Sequence, residues 1–152
     1  MSGNATGKSS PFQGNAHKPL SNLDRRAVWL RSAELFINRD EVCQCLVIVS
    51  PEDMELFRRR YNANLAFLDV GVVEGGSERF ESVANALAKV KEDADFIAVH
   101  DAVRPCLRSE HIDAVFEKAE KTGAAMLATP IASTVKRANK DKTIESTVDR
   151  RN

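Results

Sequence analysis

Cys45-Leu46-Val47-Ile48-Val49-Ser50-Pro51-Glu52-Asp53 reads as a strand that runs straight into a helix. Five apolar residues in a row, with no polar alternation, predict a central strand covered on both faces. Ser50 then offers an N-cap, Pro51 fills the first helical position, and Glu52 and Asp53 are the acids a helix N-terminus favours. That helix is expected to run to about Tyr61. The same unit recurs along the chain. Leu65 to Val73 holds the next strand signal, broken by Asp69 and Gly71, and Gly75-Gly76-Ser77 turns into a helix from about Glu78 to Val90. Phe96 to Val99 reads as another buried strand, Ser109 caps a helix through about Lys121, and Ala124 to Thr129 is a short strand ended by Pro130. Upstream, Leu23, Ala27, Leu30, Ala33, Phe36 and Ile37 lie close to helical spacing and predict a helix over Leu23 to Ile37. Strands alternating with helices imply a mostly parallel, three-layer α/β fold.

The two ends read differently. Met1 to Asn22 is rich in Gly, Ser, Asn and Pro, has no periodicity and is expected to be loop or disordered. Near the other end, Thr134 to Arg137 and Thr143 to Val148 alternate around an Asn139-Lys140-Asp141 turn. That is a hairpin pattern, and residues 131–150 are read as a β-arm rather than a core element. A parallel sheet normally opens with an apolar strand, yet none precedes Gly7, and the chain stops directly after the hairpin. The expectation is a single domain over residues 1–152, incomplete at both ends.

Bulk properties narrow the partners. The 152 residues are 43% hydrophobic and 29% charged, ordinary values for a soluble domain with a real core. Lys plus Arg and Asp plus Glu number 22 each, so no overall field recruits nucleic acid or an acidic membrane. Positive charge must act locally, in a pocket. The three cysteines, Cys43, Cys45 and Cys106, lack metal-type spacing and read as reduced thiols. The N-terminus has no apolar secretory segment, and no apolar run is long enough to span a bilayer. A cytoplasmic protein is expected.

Three clusters carry chemistry. Phe96-Ile97-Ala98-Val99-His100-Asp101-Ala102-Val103-Arg104-Pro105-Cys106 ends an apolar run in an acid and an Arg. In open α/β sheets ligands bind beyond the carboxyl ends of the strands. Asp101 there is either a cap for the next turn or a metal or ribose ligand, and Arg104 suits a phosphate. Gly75-Gly76-Ser77-Glu78-Arg79 with Ser82 combines close backbone approach with a helix N-terminus that favours anions or polar base edges; Ser77 is the expected cap. Gly7-Lys8-Ser9-Ser10, followed by Lys18, offers backbone N–H groups to phosphate oxygens, although it lacks the upstream glycine and strand of a Walker loop. His100 is read as structural, and Trp29 and the phenylalanines as packing residues.

Taken in order, Gly7-Lys8-Ser9-Ser10, His17-Lys18-Pro19-Leu20, Ser50-Pro51-Glu52-Asp53, Gly75-Gly76-Ser77-Glu78-Arg79 with Ser82-Val83, Val99 to Cys106, Thr134-Val135-Lys136-Arg137 and Thr147-Val148-Asp149-Arg150 closely resemble the 2-C-methyl-D-erythritol 4-phosphate cytidylyltransferase family. The resemblance implies a Rossmann-like nucleotidyltransferase fold, a homodimer with exchanged hairpin arms, and transfer of CMP from CTP to a sugar-alcohol phosphate in non-mevalonate isoprenoid synthesis. It implies that Lys18 is catalytic and that Ala5 and Gly7 lie on the triphosphate loop. Gly75, Gly76, Ser77 and Ser82 would form the cytidine pocket. Asp101 would be the acid near Mg²⁺ and the substrates, with Ala102 beside the ribose. Arg104, Thr134 and Arg150 would contact the methylerythritol phosphate, the last two from the arm of a partner subunit. The chain also departs from the family. Pro11 stands where the family has a catalytic Arg, Ser9 replaces a loop glycine, and Met1 to Ala5 replace the apolar first strand. Two alternatives stay open: the sister enzyme acting on ribitol 5-phosphate, and a non-catalytic nucleotide-binding remnant.

Overall fold

The structure is a computed structural model, and it describes residues 21–150. The expected loop up to residue 20, with Ala5, Gly7, Pro11 and Lys18, lies outside the described residues. Element order is β1 (Asn22–Leu23), β2 (Arg26–Ala27), α1 (Val28–Ile37), β3 (Cys45–Val49), a 3-10 turn (Pro51–Asp53), α2 (Met54–Phe67), β4 (Val70–Glu74), α3 (Arg79–Leu87), α4 (Ser109–Thr122), β5 (Lys136–Ala138) and β6 (Ile144–Thr147). The chain divides into two compact units, one ending at Arg108 and the other beginning at Ser109. No helix among the described residues is long and apolar enough to cross a membrane.

The first unit is built on β3 and β4, which pair in parallel with Cys45 opposite Val70 and Val49 opposite Glu74. The strand-then-helix reading holds, with Pro51 at the first position of the 3-10 turn and Ser50 before it. Ser50 caps no backbone group; its hydroxyl donates to the Asp53 carboxylate at 2.9 Å. The core gathers Ala27, Trp29, Leu30 and Ala33, Val47 and Val49 of β3, Phe57, Tyr61 and Leu65 of α2, and Val70. Trp29 and Phe57 are the two largest fully buried side chains, with ring centroids 5.0 Å apart. Tyr61 closes the cluster at 5.2 Å from Trp29 and 5.1 Å from Phe57.

Several boundaries differ from expectation. Leu65 belongs to α2, not to the next strand. Phe57, Tyr61 and Leu65 repeat every four residues, so helical packing claims Leu65. Asp69, at φ 50°, then takes the left-handed conformation that ends the helix, and β4 starts one residue later. The expected helix from Leu23 begins only at Val28. Asp24 and Arg25, both at positive φ, instead turn β1 back on β2 as a two-residue hairpin.

Two expected strands are absent. Residues 96–99 and 124–129 form no ladder among the described residues. Phe96, Ile97 and Val99 are exposed, as are Met126 and Leu127. An apolar run becomes a strand only when its backbone groups find a neighbouring ladder, and pattern alone does not supply one. The expected mostly parallel sheet is therefore, among the described residues, one parallel pair and two antiparallel pairs. The α/β class stands.

In the second unit α4 buries Ile112 and Ala119. The hairpin forms where expected, Lys136 opposite Thr147, with a register shift between Arg137 and Ala138. Asn139 organises its turn by accepting from the Asp141 and Thr143 N–H groups, each at 3.0 Å. Both hairpin strands are exposed along their whole length.

Candidate active site

Two loops of the first unit meet. The first leaves β4. Gly75 donates its N–H to the Val49 carbonyl at 2.8 Å, extending the parallel ladder by one rung. Gly76 donates to the Ser82 hydroxyl at 3.0 Å, and that hydroxyl donates to the Glu78 carbonyl at 3.1 Å. The expected cap, Ser77, does not cap α3. Glu78 is the N-cap, joined to Glu81 in a reciprocal capping box. Ser77 serves that box from outside. One Glu81 carboxylate oxygen accepts its hydroxyl at 2.6 Å, its N–H at 2.8 Å and the Glu78 N–H at 3.2 Å. A carboxylate outcompetes a hydroxyl as acceptor for orphan N–H groups. The Ser77 hydroxyl, then the Glu78 and Ser77 N–H groups, hold the Glu81 carboxyl below the ordinary carboxylate range.

Glycine is required at 76 for space. A Cβ there would sit 2.4 Å from the Glu81 Cβ and 3.3 Å from its backbone carbonyl carbon. Gly76→Ala is therefore expected to displace the first turn of α3 and cost about 1–3 kcal/mol, read by urea unfolding.

The second loop follows residue 99. The Arg104 N–H closes a turn on the Asp101 carbonyl at 3.0 Å. His100 Nε2 lies 3.0 Å from the Arg104 carbonyl, and its ring lies 5.3 Å from that of Phe36. Ser32, buried on α1, donates its hydroxyl to the Ala102 carbonyl at 2.8 Å, and Ala102 packs on the core. Sequence reasoning missed Ser32. The available signal was a polar residue beside Ala33 on the buried stripe of a helix.

The loops are joined through Asp101. Arg79 Nη2 lies 2.9 Å from its Oδ1, and Arg104 Nε lies 2.9 Å from its Oδ2. Both Arg side chains are largely exposed, so the pairs contribute about 0–1 kcal/mol each to folding and act mainly as geometry. Gly75, Gly76, Ser77, Ser82, Asp101, Ala102 and Arg104 all belong to this first unit. Thr134 and Arg150 belong to the second, where both line an open cleft at the hairpin base. Arg150 Nη1 donates to the Ile131, Ala132 and Ser133 carbonyls at 2.9, 2.6 and 3.2 Å.

Comparison with known proteins decides the family. The family model for 2-C-methyl-D-erythritol 4-phosphate cytidylyltransferase matches residues 4–152. The chain belongs to this cytidylyltransferase family. The family's enzyme from Rhodopirellula baltica is 37% identical, aligned over 97% of this chain and 65% of its own length. That of Endomicrobium trichonymphae is also 37% identical, over 96% of this chain and 64% of its own. A crystal structure of a 4-diphosphocytidyl-2C-methyl-D-erythritol synthase superposes with a TM-score of 0.71 at 32% identity, covering 88% of this chain and 63% of that one. The synthase of Anaerococcus prevotii, 20% identical with a TM-score of 0.74 over 88% of this chain and 58% of that one, shares the fold. The chain thus spans less than two thirds of the length of these cytidylyltransferase relatives.

Asp101 supplies a carboxylate, one of the oxygen ligands a magnesium ion accepts. Mg²⁺ is commonly held by one or two carboxylates, with substrate phosphates and water completing its shell. Asp101 Oδ1 accepts the Arg79 Nη2–H at 2.9 Å, and its Oδ2 faces Arg104 Nε in an ion pair at 2.9 Å. Among the described residues no cluster of three or more His, Cys, Asp or Glu forms a second candidate.

Proposed function

We propose that this protein transfers CMP from CTP to 2-C-methyl-D-erythritol 4-phosphate, releasing pyrophosphate, in the cytoplasm. The observation that carries the reading is the Asp101 ion pair with Arg79. It ties the acid of one family motif to the helix start that follows the two-glycine loop of another. A nucleotide lying on that loop would have its ribose near Ala102 and its phosphates near Asp101 and Arg104. Thr134 and Arg150 would act from the hairpin arm of a homodimer, on the sugar phosphate held by a second copy of the chain. The complete fold would be Rossmann-like and three-layered.

The chemistry is in-line displacement. A phosphate oxygen of the sugar-alcohol phosphate forms a bond to the α-phosphorus of CTP, and the bond to the bridging oxygen breaks with loss of pyrophosphate. Such transfers depend on positioning and charge neutralisation more than on covalent help. Lys18 would stabilise charge growing on the α-phosphate and leaving group. Arg104 would hold the acceptor phosphate. Asp101 would hold magnesium, which would supply further charge neutralisation. Gly75, Gly76, Ser77 and Ser82 would seat the cytidine, aided by Ala5 and Gly7 on the triphosphate side. Precise polar contacts there reject the wrong base.

Pyrophosphate release from CTP with magnesium and each candidate acceptor tests the reading. Methylerythritol 4-phosphate should support turnover and ribitol 5-phosphate should not. Turnover with ribitol 5-phosphate alone would reassign the substrate. CTP binding without turnover on either acceptor would make the protein a non-catalytic remnant.

A further inference from the structure

We infer that Arg79 is a positioning residue for nucleotide binding: from the first position of α3 it ties the Asp101 carboxylate to the start of the helix that the Gly75–Ser77 loop leads into. This role rests on the cytidylyl-transfer reading of the site and names the residue that joins its two halves. Side chains at a helix start lean toward the N-terminus, which here is the two-glycine loop itself. Arg79 Nη2 takes Asp101 Oδ1 while Arg104 Nε takes Oδ2, each at 2.9 Å. With a guanidinium group on each oxygen, turning the carboxylate disturbs both ion pairs.

The two arginines are not equivalent. Arg104 sits three residues after Asp101, within the same turn, and travels with it. Arg79 is 22 residues away in sequence and opens α3, the helix that follows the two-glycine loop. Only the Arg79 contact therefore relates the direction of the carboxylate to the loop that would carry the base. The anchor for Arg79 is itself braced. Glu81 fixes Ser77 and Glu78, the two residues immediately before it, through three hydrogen bonds to one carboxylate oxygen. The Asp101 side is braced as well, by the Ser32 hydrogen bond to Ala102. Two rigid loops joined by one exposed ion pair make that pair a determinant of their spacing. Because the pair is exposed it adds little to folding. A residue kept only for stability would then leave ligand binding untouched when removed, whereas a positioning residue would affect binding and spare the fold.

Calorimetry of CTP binding, with and without magnesium, would compare the wild type with Arg79→Ala, Arg79→Lys, Asp101→Asn and the double variant. Arg79→Ala should weaken CTP binding about 10–100-fold, as loss of a partner that orients a ligating group commonly does. It should raise the KM for CTP more than it lowers kcat, and melt within about 4 °C of wild type. Arg79→Lys, which keeps the charge and loses the planar fork, should fall between. In the Asp101→Asn background Arg79→Ala should add less than about threefold, because residues of one network are not additive. Equal affinities for wild type and Arg79→Ala would overturn the role. So would an undiminished loss in the Asp101→Asn background, which would mean that Arg79 acts independently of Asp101. A wild-type protein that binds no CTP would bring down the proposed function first, and this role with it.

Discussion

Lys18→Ala is expected to lower cytidylyl transfer by about two to three orders of magnitude, the usual cost of removing one donor that faces developing charge. Nucleotidyl transfer leaves a protein little covalent work, so its rate rests on cations placed where negative charge grows. Pro11 replaces the arginine that the family resemblance places at the end of the triphosphate loop. On the proposed reading, that substitution would concentrate the burden on Lys18. It also predicts slow turnover for the wild type, with further loss when Lys18 goes. Melting temperature, measured alongside, separates lost chemistry from lost folding. Radiolabelled CTP and product counting measure the effect. Undiminished product from the variant would remove Lys18 from the mechanism.

Phe57→Ala is expected to cost about 3–5 kcal/mol of stability, the range for emptying a buried aromatic site. Phe57 is 1% exposed and packs on both Trp29 and Tyr61, so its removal takes a ring contact from each. Native domains have only about 5–15 kcal/mol in total, and the variant would be close to unfolding at 37 °C. The chain has a single tryptophan, Trp29, in direct contact with Phe57, so its fluorescence reports the transition in urea. A loss below about 1 kcal/mol would contradict the assignment of this cluster as the core of the first unit.

The parts of the fold written in local chemistry were legible. A continuous apolar run followed by Ser50-Pro51 has few alternatives to a buried strand and a helical start, and β3 with the helix after it followed. Two-residue alternation around Asn139 gave the hairpin, because an Asn side chain organises its own turn. Boundaries that depend on packing were not legible. Leu65 fits a strand pattern and a four-residue helical repeat equally well, and contact with the core decided for the helix. Residues 96–99 show the same limit, since their pattern is that of a strand while the ladder that would make them one is a tertiary matter.

The candidate site divides along the same line. The motif residues Gly75, Gly76, Ser77, Asp101 and Arg104 could be picked from the chain, because glycine pairs and an acid closing an apolar run are local signals. Ser77 was given the capping role by its residue type, yet Glu81 and Glu78 form the cap through stronger acceptors. The Arg79 contact with Asp101 spans 22 residues and no local pattern encodes it. Ser32 was equally hidden, because its role depends on which face of α1 meets the Asp101 loop.

On the proposed reading, the two-glycine loop and the Asp101 turn would form one nucleotide pocket. Titrating CTP with magnesium into isotopically labelled protein and following backbone amide resonances tests it directly. The signals of Gly75, Gly76, Ser77, Asp101 and Ala102 should shift together with a single dissociation constant. CTP that binds while leaving either group unmoved would contradict the account.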